Sequence, residues 1–120
     1  DKDAEMLIDN DCKFIVEAAN MPCTEEAIKL FNDKLVVVAP SKAVNAGGVA
    51  VSALEMRQNA GWDKWNFPQV DNKLRNIMKQ IHVSCLKHAR KYGTEGDYTL
   101  GANTCGFLRV ARAATAHGII

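Results

Sequence analysis

Residues 13–19 read KFIVEAA and residues 35–39 read LVVVA, and these two apolar runs decide the fold. Each run is rich in β-formers and too short for a typical helix, so each is predicted to be a buried strand. Between them, Thr24 is a suitable N-cap, and Glu25 and Glu26 follow it in the first turn, where the helix dipole favours negative charge. The order strand, helix, strand predicts an α/β fold with a parallel βαβ unit whose strands are apolar on both faces.

Two strands are too few to form a stable parallel sheet by themselves. The remaining strands are therefore expected outside these 120 residues or in other copies of the chain. The chain also begins at Asp1, with no initiator Met. Both observations suggest a segment of a longer protein.

Everything after the second strand is predicted to be helical. Asn66 is a good N-cap, and Gln69 stands at the position that completes a capping box. Apolar residues then recur at spacings of three and four until Gly93, which is typical of a helix end. Helices are predicted over residues 49–59, 66–93 and 102–117, with a loop over residues 96–99.

The composition excludes several classes of protein. With 48% hydrophobic and 24% charged residues, the chain is not intrinsically disordered. A formal net charge of +1 argues against a dedicated nucleic-acid binder. No apolar run approaches the roughly 18–20 residues needed to span a bilayer, and no signal-peptide segment opens the chain.

The four cysteines do not predict a metal centre or a disulfide framework. They stand at 12, 23, 85 and 105 with no CxxC spacing, which is typical of reduced thiols in a cytosolic protein. His82, Cys85 and His88 are spaced three apart, but the outer two diverge by about 120° on a helix, and a fourth ligand is absent. We therefore expect no metal site.

The second half of the chain carries a basic excess. Two interpretations are open, the solvated face of an amphipathic helix and a site for a polyanion, and we favour the first. The residues concerned are Lys73, Arg75, Lys79, Lys87, Arg90 and Lys91.

Ligands of parallel α/β sheets bind outside the carboxyl ends of the strands, and this rule selects residues 18–20 and 41–48. Gly47 and Gly48 lie in the second segment, where they either let a ligand approach the backbone or allow close packing of the helix. One turn further, Ser52 could bind a carboxylate or bond only to its own backbone. Lys42 is better read as an exposed loop lysine than as a catalytic one.

Longer motifs in the chain resemble the carboxyl-terminal part of the hexameric glutamate dehydrogenases. The most specific are EAANMP at residues 17–22 and APSKAVNAGGVAVSALEM at residues 39–56, followed by QN at 58–59. The match continues in order to the end of the chain, and it is most similar to the NADP-type branch. Its later motifs are Val70-Asp71, Lys73-Leu74, GAN at residues 101–103, GF at 106–107 and HGII at 117–120.

The resemblance implies an enzyme that interconverts glutamate with 2-oxoglutarate and ammonia, using NADP, with NAD as the alternative. Asn20 and Asn45 match family positions at the nicotinamide-ribose end of the cofactor, and Val49 and Ser52 match positions that line the glutamate pocket. The implied parent is a cytoplasmic hexamer with no nucleic-acid or membrane partner. A related leucine, valine or phenylalanine dehydrogenase is the alternative within the same resemblance.

The resemblance also implies a division of the chain. Residues 1–44 would be the carboxyl-terminal half of a Rossmann-like dinucleotide-binding domain, and residues 45–120 a helical hinge and carboxyl-terminal segment that packs back on it. The family's catalytic lysine, catalytic aspartate and phosphate loop belong to regions before residue 1. No catalytic residue is therefore expected in this chain, which should be inactive alone. The alternative to a portion of an active enzyme is a non-catalytic half-domain that associates with other chains.

Three positions depart from the family pattern. Ala18 stands where the family usually has Gly, Arg57 replaces a common Ser, and Trp62 replaces a common Arg. Residues 57–69 are consequently the part that family analogy describes least well.

Overall fold

The computed structural model describes residues 2–118 and confirms an α/β chain in which two strands are followed by helices. Within these residues no helix is long and apolar enough to cross a membrane. The elements are α1 Lys2–Asp9, β1 Phe14–Val16, α2 Glu25–Asp33, β2 Val37–Ala39, α3 Ser41–Val44, α4 Ala46–Ala60, α5 Phe67–Tyr92 and α6 Tyr98–Ala116.

The two strands pair in parallel, as the βαβ pattern predicts, with Ile15 opposite Val38 in the centre of the register. Both strands are shorter than the apolar runs that predict them. Leu35 and Val36 are not part of β2, because their N–H groups donate to Asn32 O and Phe31 O and close the end of α2. The turn at Leu35 has a φ of 58°, so the chain reverses there before the strand begins.

A small core lies under one face of the sheet. Phe31 of α2 is its largest fully buried side chain, and α1 contributes Ala4. Ile15 packs against this cluster, but Phe14 and Val16 are 68% and 62% exposed. The prediction that β1 is buried on both faces is therefore wrong for this chain, because side chains alternate along a strand and α1 and α2 cover only the Ile15 side.

Capping residues set the helix ends, and those of α2 and α5 agree with prediction. Thr24 Oγ1 accepts a hydrogen bond from Ala27 N at 3.1 Å. Asn66 and Gln69 form the reciprocal capping box, with bonds of 3.0 and 2.8 Å. The last helix begins at Tyr98 and not at residue 102, because Asp97 Oδ1 accepts from Leu100 N at 2.8 Å.

Helices α5 and α6 come into backbone contact where Gly101 meets Cys85. A Cβ added at Gly101 would overlap the Cys85 carbonyl oxygen and lie 2.7 Å from its carbonyl carbon. Helices α4 and α5 are also close at Gly47, but less so, since a Cβ added there would lie 3.3 Å from Met78 Sδ. Glycine at position 101 is therefore a requirement of backbone-to-backbone contact.

Substitution of Gly101 by alanine tests this contact. We expect Gly101→Ala to lower the free energy of unfolding by about 1–3 kcal/mol, because the backbones must separate to admit the methyl group. Gly106→Ala on the same helix is the matched control, since nothing lies within 4 Å of its added Cβ. It should be stabilising by up to about 1 kcal/mol through helix propensity.

Urea unfolding followed by circular dichroism measures both variants. Equal effects of the two substitutions would contradict the close contact at Gly101.

Candidate functional site

Asn20 and Asn45 lie side by side at the carboxyl ends of the two strands. Asn45 Nδ2 donates a 2.7 Å hydrogen bond to Asn20 Oδ1, although the residues are 25 positions apart. The bond leaves the Asn20 amide donors and the Asn45 carbonyl oxygen without a hydrogen bond to any residue from 2 to 118. The pair therefore offers both donors and an acceptor at the edge where parallel sheets bind ligands.

A buried carboxylate joins the same two loops. Glu17 is 5% exposed, and its Oε2 accepts a 2.9 Å hydrogen bond from Ser41 N, the first residue of α3. Its backbone N–H also donates to Ala39 O at 3.1 Å and extends the pairing of the strands. The other carboxylate oxygen, Oε1, is buried with no donor in good geometry among the described residues.

Neither the strand-end rule nor the family motifs single out Glu17 as a site residue. The sequence nevertheless indicates it, because Glu17 is the single charged residue within the otherwise apolar run over residues 14–19. A buried acid is rare unless it is hydrogen-bonded or paired. Its position at a strand end therefore marked it as a structural or functional residue.

The Cys23 thiol lies beside this carboxylate and is partly buried. Its pKa is raised, chiefly by burial and then by hydrogen bonding to Glu17 and by the negative charge of that carboxylate. Because the thiolate is the reactive form of cysteine, Cys23 is a poor nucleophile at neutral pH. The thiol is better suited to packing against the core than to chemistry.

Lys42 is exposed, as predicted, but it is not unpaired. Its Nζ donates a hydrogen bond to Asn103 Oδ1 and so connects α3 with α6. This connection spans 61 positions of sequence and could not be read from local spacing. It positions the start of α3 against the last helix.

Val49 and Ser52 share the outer face of α4, where both are exposed. Ser52 Oγ donates to Gly48 O at 3.3 Å, which is the backbone bond that a helical serine commonly makes. Gly47 packs against α5, whereas Gly48 faces open space. Close helix packing therefore accounts for Gly47, whereas the backbone at Gly48 is open to the approach of a ligand.

The histidines and Cys85 do not converge on a metal site. Within residues 2–118 no group of three potential ligands comes together. His82 Nδ1 lies 3.4 Å from the Tyr98 hydroxyl, and His88 Nδ1 lies 2.7 Å from Ser84 O. Cys85 is buried at the contact with α6.

Glu17→Gln tests the influence of the carboxylate on the thiol. Loss of the negative charge should lower the pKa of Cys23, so a larger fraction is thiolate at a given pH and alkylation is faster. Iodoacetamide labelling between about pH 7 and pH 9, read by peptide mass spectrometry, measures the rate.

Cys85 is the internal control for this experiment. Its pKa is also raised, but by burial and by Cys105, so its rate should not respond to Glu17→Gln. An unchanged Cys23 rate would contradict the contact between Cys23 and Glu17.

Known proteins match this chain along nearly its whole length. Residues 1–118 match the family model described as Glutamate/Leucine/Phenylalanine/Valine dehydrogenase. The NADP-specific glutamate dehydrogenase of Psychrobacter sp. is 52% identical, over 100% of this chain and 28% of that protein. The NAD-specific glutamate dehydrogenase of Bacteroides fragilis is 50% identical, over 99% of this chain and 27% of that protein.

The fold matches as well. The crystal structure of Plasmodium falciparum glutamate dehydrogenase is 43% identical and gives a TM-score of 0.95, over 99% of this chain and 26% of that one. The chain thus spans between 26% and 28% of the length of these relatives. The chain belongs to the glutamate/leucine/phenylalanine/valine dehydrogenase family.

Proposed function

We propose that these residues form the nicotinamide end of the cofactor site and part of the substrate pocket of an NAD(P)-dependent glutamate dehydrogenase. The observation that carries the proposal is the Asn20–Asn45 hydrogen bond at the carboxyl ends of the parallel strands, in a chain whose relatives are glutamate dehydrogenases by name. The reaction converts L-glutamate, water and NAD(P)⁺ to 2-oxoglutarate, ammonium, NAD(P)H and a proton.

The cofactor end of the proposal rests on the two asparagines. Their free amide donors and carbonyl oxygen have the chemistry needed to bond ribose hydroxyls and a carboxamide. The cofactor supplies the hydride acceptor, whereas this chain's residues hold its nicotinamide end in place. We propose NADP because the motifs are most similar to the NADP-type branch. NAD is the alternative, because the relatives include enzymes named for each cofactor.

The substrate end of the proposal rests on the open face of α4. Val49 is 74% exposed and Ser52 follows it by one turn, so both are free to contact a ligand. Ser52 can turn its hydroxyl from Gly48 O to a glutamate carboxylate, which is a stronger acceptor. Val49 would then pack against the aliphatic part of the substrate.

We assign no catalytic acid or base to this chain. The proton transfers and the binding of the cofactor phosphates are proposed to use residues of the longer protein, and the 120-residue chain is expected to be inactive by itself. In that protein, residues 1–44 would complete a dinucleotide-binding domain and residues 45–120 would form the hinge. Assembly as a cytoplasmic hexamer is part of the same proposal.

Ser52→Ala in the full-length protein tests the substrate assignment. We expect the KM for glutamate to rise about tenfold to a hundredfold, because a hydrogen bond to a charged group contributes about 1.5–3 kcal/mol. The KM for NADP⁺ should change little. Thr115→Ala is the control, since Thr115 is exposed on α6 and its Oγ1 donates the same kind of backbone bond as Ser52, to Ala111 O at 2.8 Å.

Steady-state kinetics with glutamate, leucine, valine and phenylalanine make the measurement decisive for function. An unchanged glutamate KM would contradict the role of Ser52. Higher kcat/KM for an apolar amino acid than for glutamate would favour the related dehydrogenases that the family also includes.

A second candidate function is a non-catalytic half-domain that associates through its sheet. The exposed Phe14 and Val16 on β1 favour it, because uncovered apolar strands promote association. The test is to incubate the purified 120-residue chain with glutamate and NADP⁺ and to assay for NADPH. Any turnover would refute the non-catalytic function.

A further inference from the structure

A cleft separate from the proposed cofactor and substrate positions lies between α5 and α6. Its volume is about 490 Å³, within the range of roughly 300–1,000 Å³ that small-molecule sites occupy. Lys42, Ala43 and Ala46 also line it.

Small side chains on one face of α6 create this cleft. Its α6 lining residues follow helical spacing over 102, 105, 106 and 109, so they form one stripe that faces α5. Ala102 and Gly106 leave space that larger residues would fill. The contact between Gly101 and Cys85 brings the two helices together beside the cleft, and Cys85 is one of its lining residues.

The charge in the cleft is positive. Lys42 and Arg109 line it, and no acidic residue of the described chain does. Lys42 is bonded to the neutral amide of Asn103, so its charge is not compensated, and Arg109 has no ion pair within residues 2–118. Gln80 and Ser84 add an amide and a hydroxyl to the lining.

The rest of the lining is apolar. Ile77 and Ile81 lie on α5, and the buried Cys85 closes the end at Gly101. Two uncompensated cations beside an apolar wall suit a molecule that has both an anionic group and an apolar body.

We propose that this cleft binds a small organic anion with an apolar body and a terminal carboxylate or phosphate. The anionic group would meet Arg109 and Lys42, and the body would lie against Ile77 and Ile81. Asn20, Asn45, Val49 and Ser52 do not line the cleft, so the site is distinct from the one proposed for cofactor and substrate. The ligand would contact α3 and α6 together, which the Lys42–Asn103 bond already connects.

Calorimetric titration of the full-length protein with phenyl phosphate tests the proposal. Saturating NADP⁺ is present throughout, so that the phosphate-binding groups of the cofactor site are occupied and cannot bind the probe. We expect saturable binding of phenyl phosphate that is at least tenfold tighter than that of inorganic phosphate or of benzyl alcohol, because each of these lacks one half of the required chemistry. Absence of saturable binding would overturn the proposal. A cleft that the rest of the protein fills would give that result.

Three variants locate the binding. Arg109→Gln should weaken phenyl phosphate binding at least tenfold, and Ala102→Leu should do the same by filling the cleft while both charges remain. Arg112→Gln is the matched control, because Arg112 is exposed on the same helix but does not line the cleft. Binding that persists in both cleft variants, or that Arg112→Gln weakens equally, would overturn the assignment.

Binding is measured without turnover. Its outcome is therefore independent of whether the full-length protein acts on glutamate.

Discussion

The buried carboxylate of Glu17 is the group on which the functional end of this fold depends. One of its oxygens accepts a bond from the first backbone N–H of α3, so the loop after β1 is joined to the loop after β2. A charge buried in this way costs several kcal/mol unless hydrogen bonds compensate it, and here only one of its two oxygens is compensated by the described residues. The surrounding structure must therefore hold Glu17 in place, and in return the two loops keep a fixed separation.

That fixed separation allows Asn20 and Asn45 to meet. Their hydrogen bond joins residues that the chain separates by a whole βαβ crossover, and it leaves donors and an acceptor for a ligand. On the other side of the same loop, α3 is connected with α6 by Lys42 and Asn103. Three interactions thus position the short helix α3: the Glu17 bond to its first residue, the Asn20–Asn45 bond at the residue that follows it, and the Lys42–Asn103 bond. Both the proposed cofactor position and the cleft depend on this helix.

Much of the architecture could be predicted from the sequence because local signals determine it. The βαβ order follows from two apolar runs with a capped helix between them, and the Asn66–Gln69 box marks the start of α5 in both sequence and structure. Strand limits could not be predicted, because Leu35 and Val36 close α2 and so are withdrawn from β2. Burial of β1 was overpredicted, because burial depends on what covers the second face and not on the strand's own residues.

The candidate site is likewise predictable only in part from the sequence. The rule that ligands bind at strand ends selects residues 18–20 and 41–48, and the family resemblance names Asn20 and Asn45 within them. The structure places these two side chains in contact. The cleft depends on the approach of two helices at Gly101, which no local spacing encodes. Val49 and Ser52 lie on an exposed face, so their roles depend on ligands and on parts of the protein outside these residues.

A crystal structure of the full-length protein with nicotinamide cofactor and glutamate bound tests the central claim most directly. The account predicts an amide of Asn20 or Asn45 within about 3.2 Å of the nicotinamide end of the cofactor, and Ser52 Oγ within the same distance of a glutamate carboxylate oxygen. Both ligands bound with none of these three side chains in contact would contradict it.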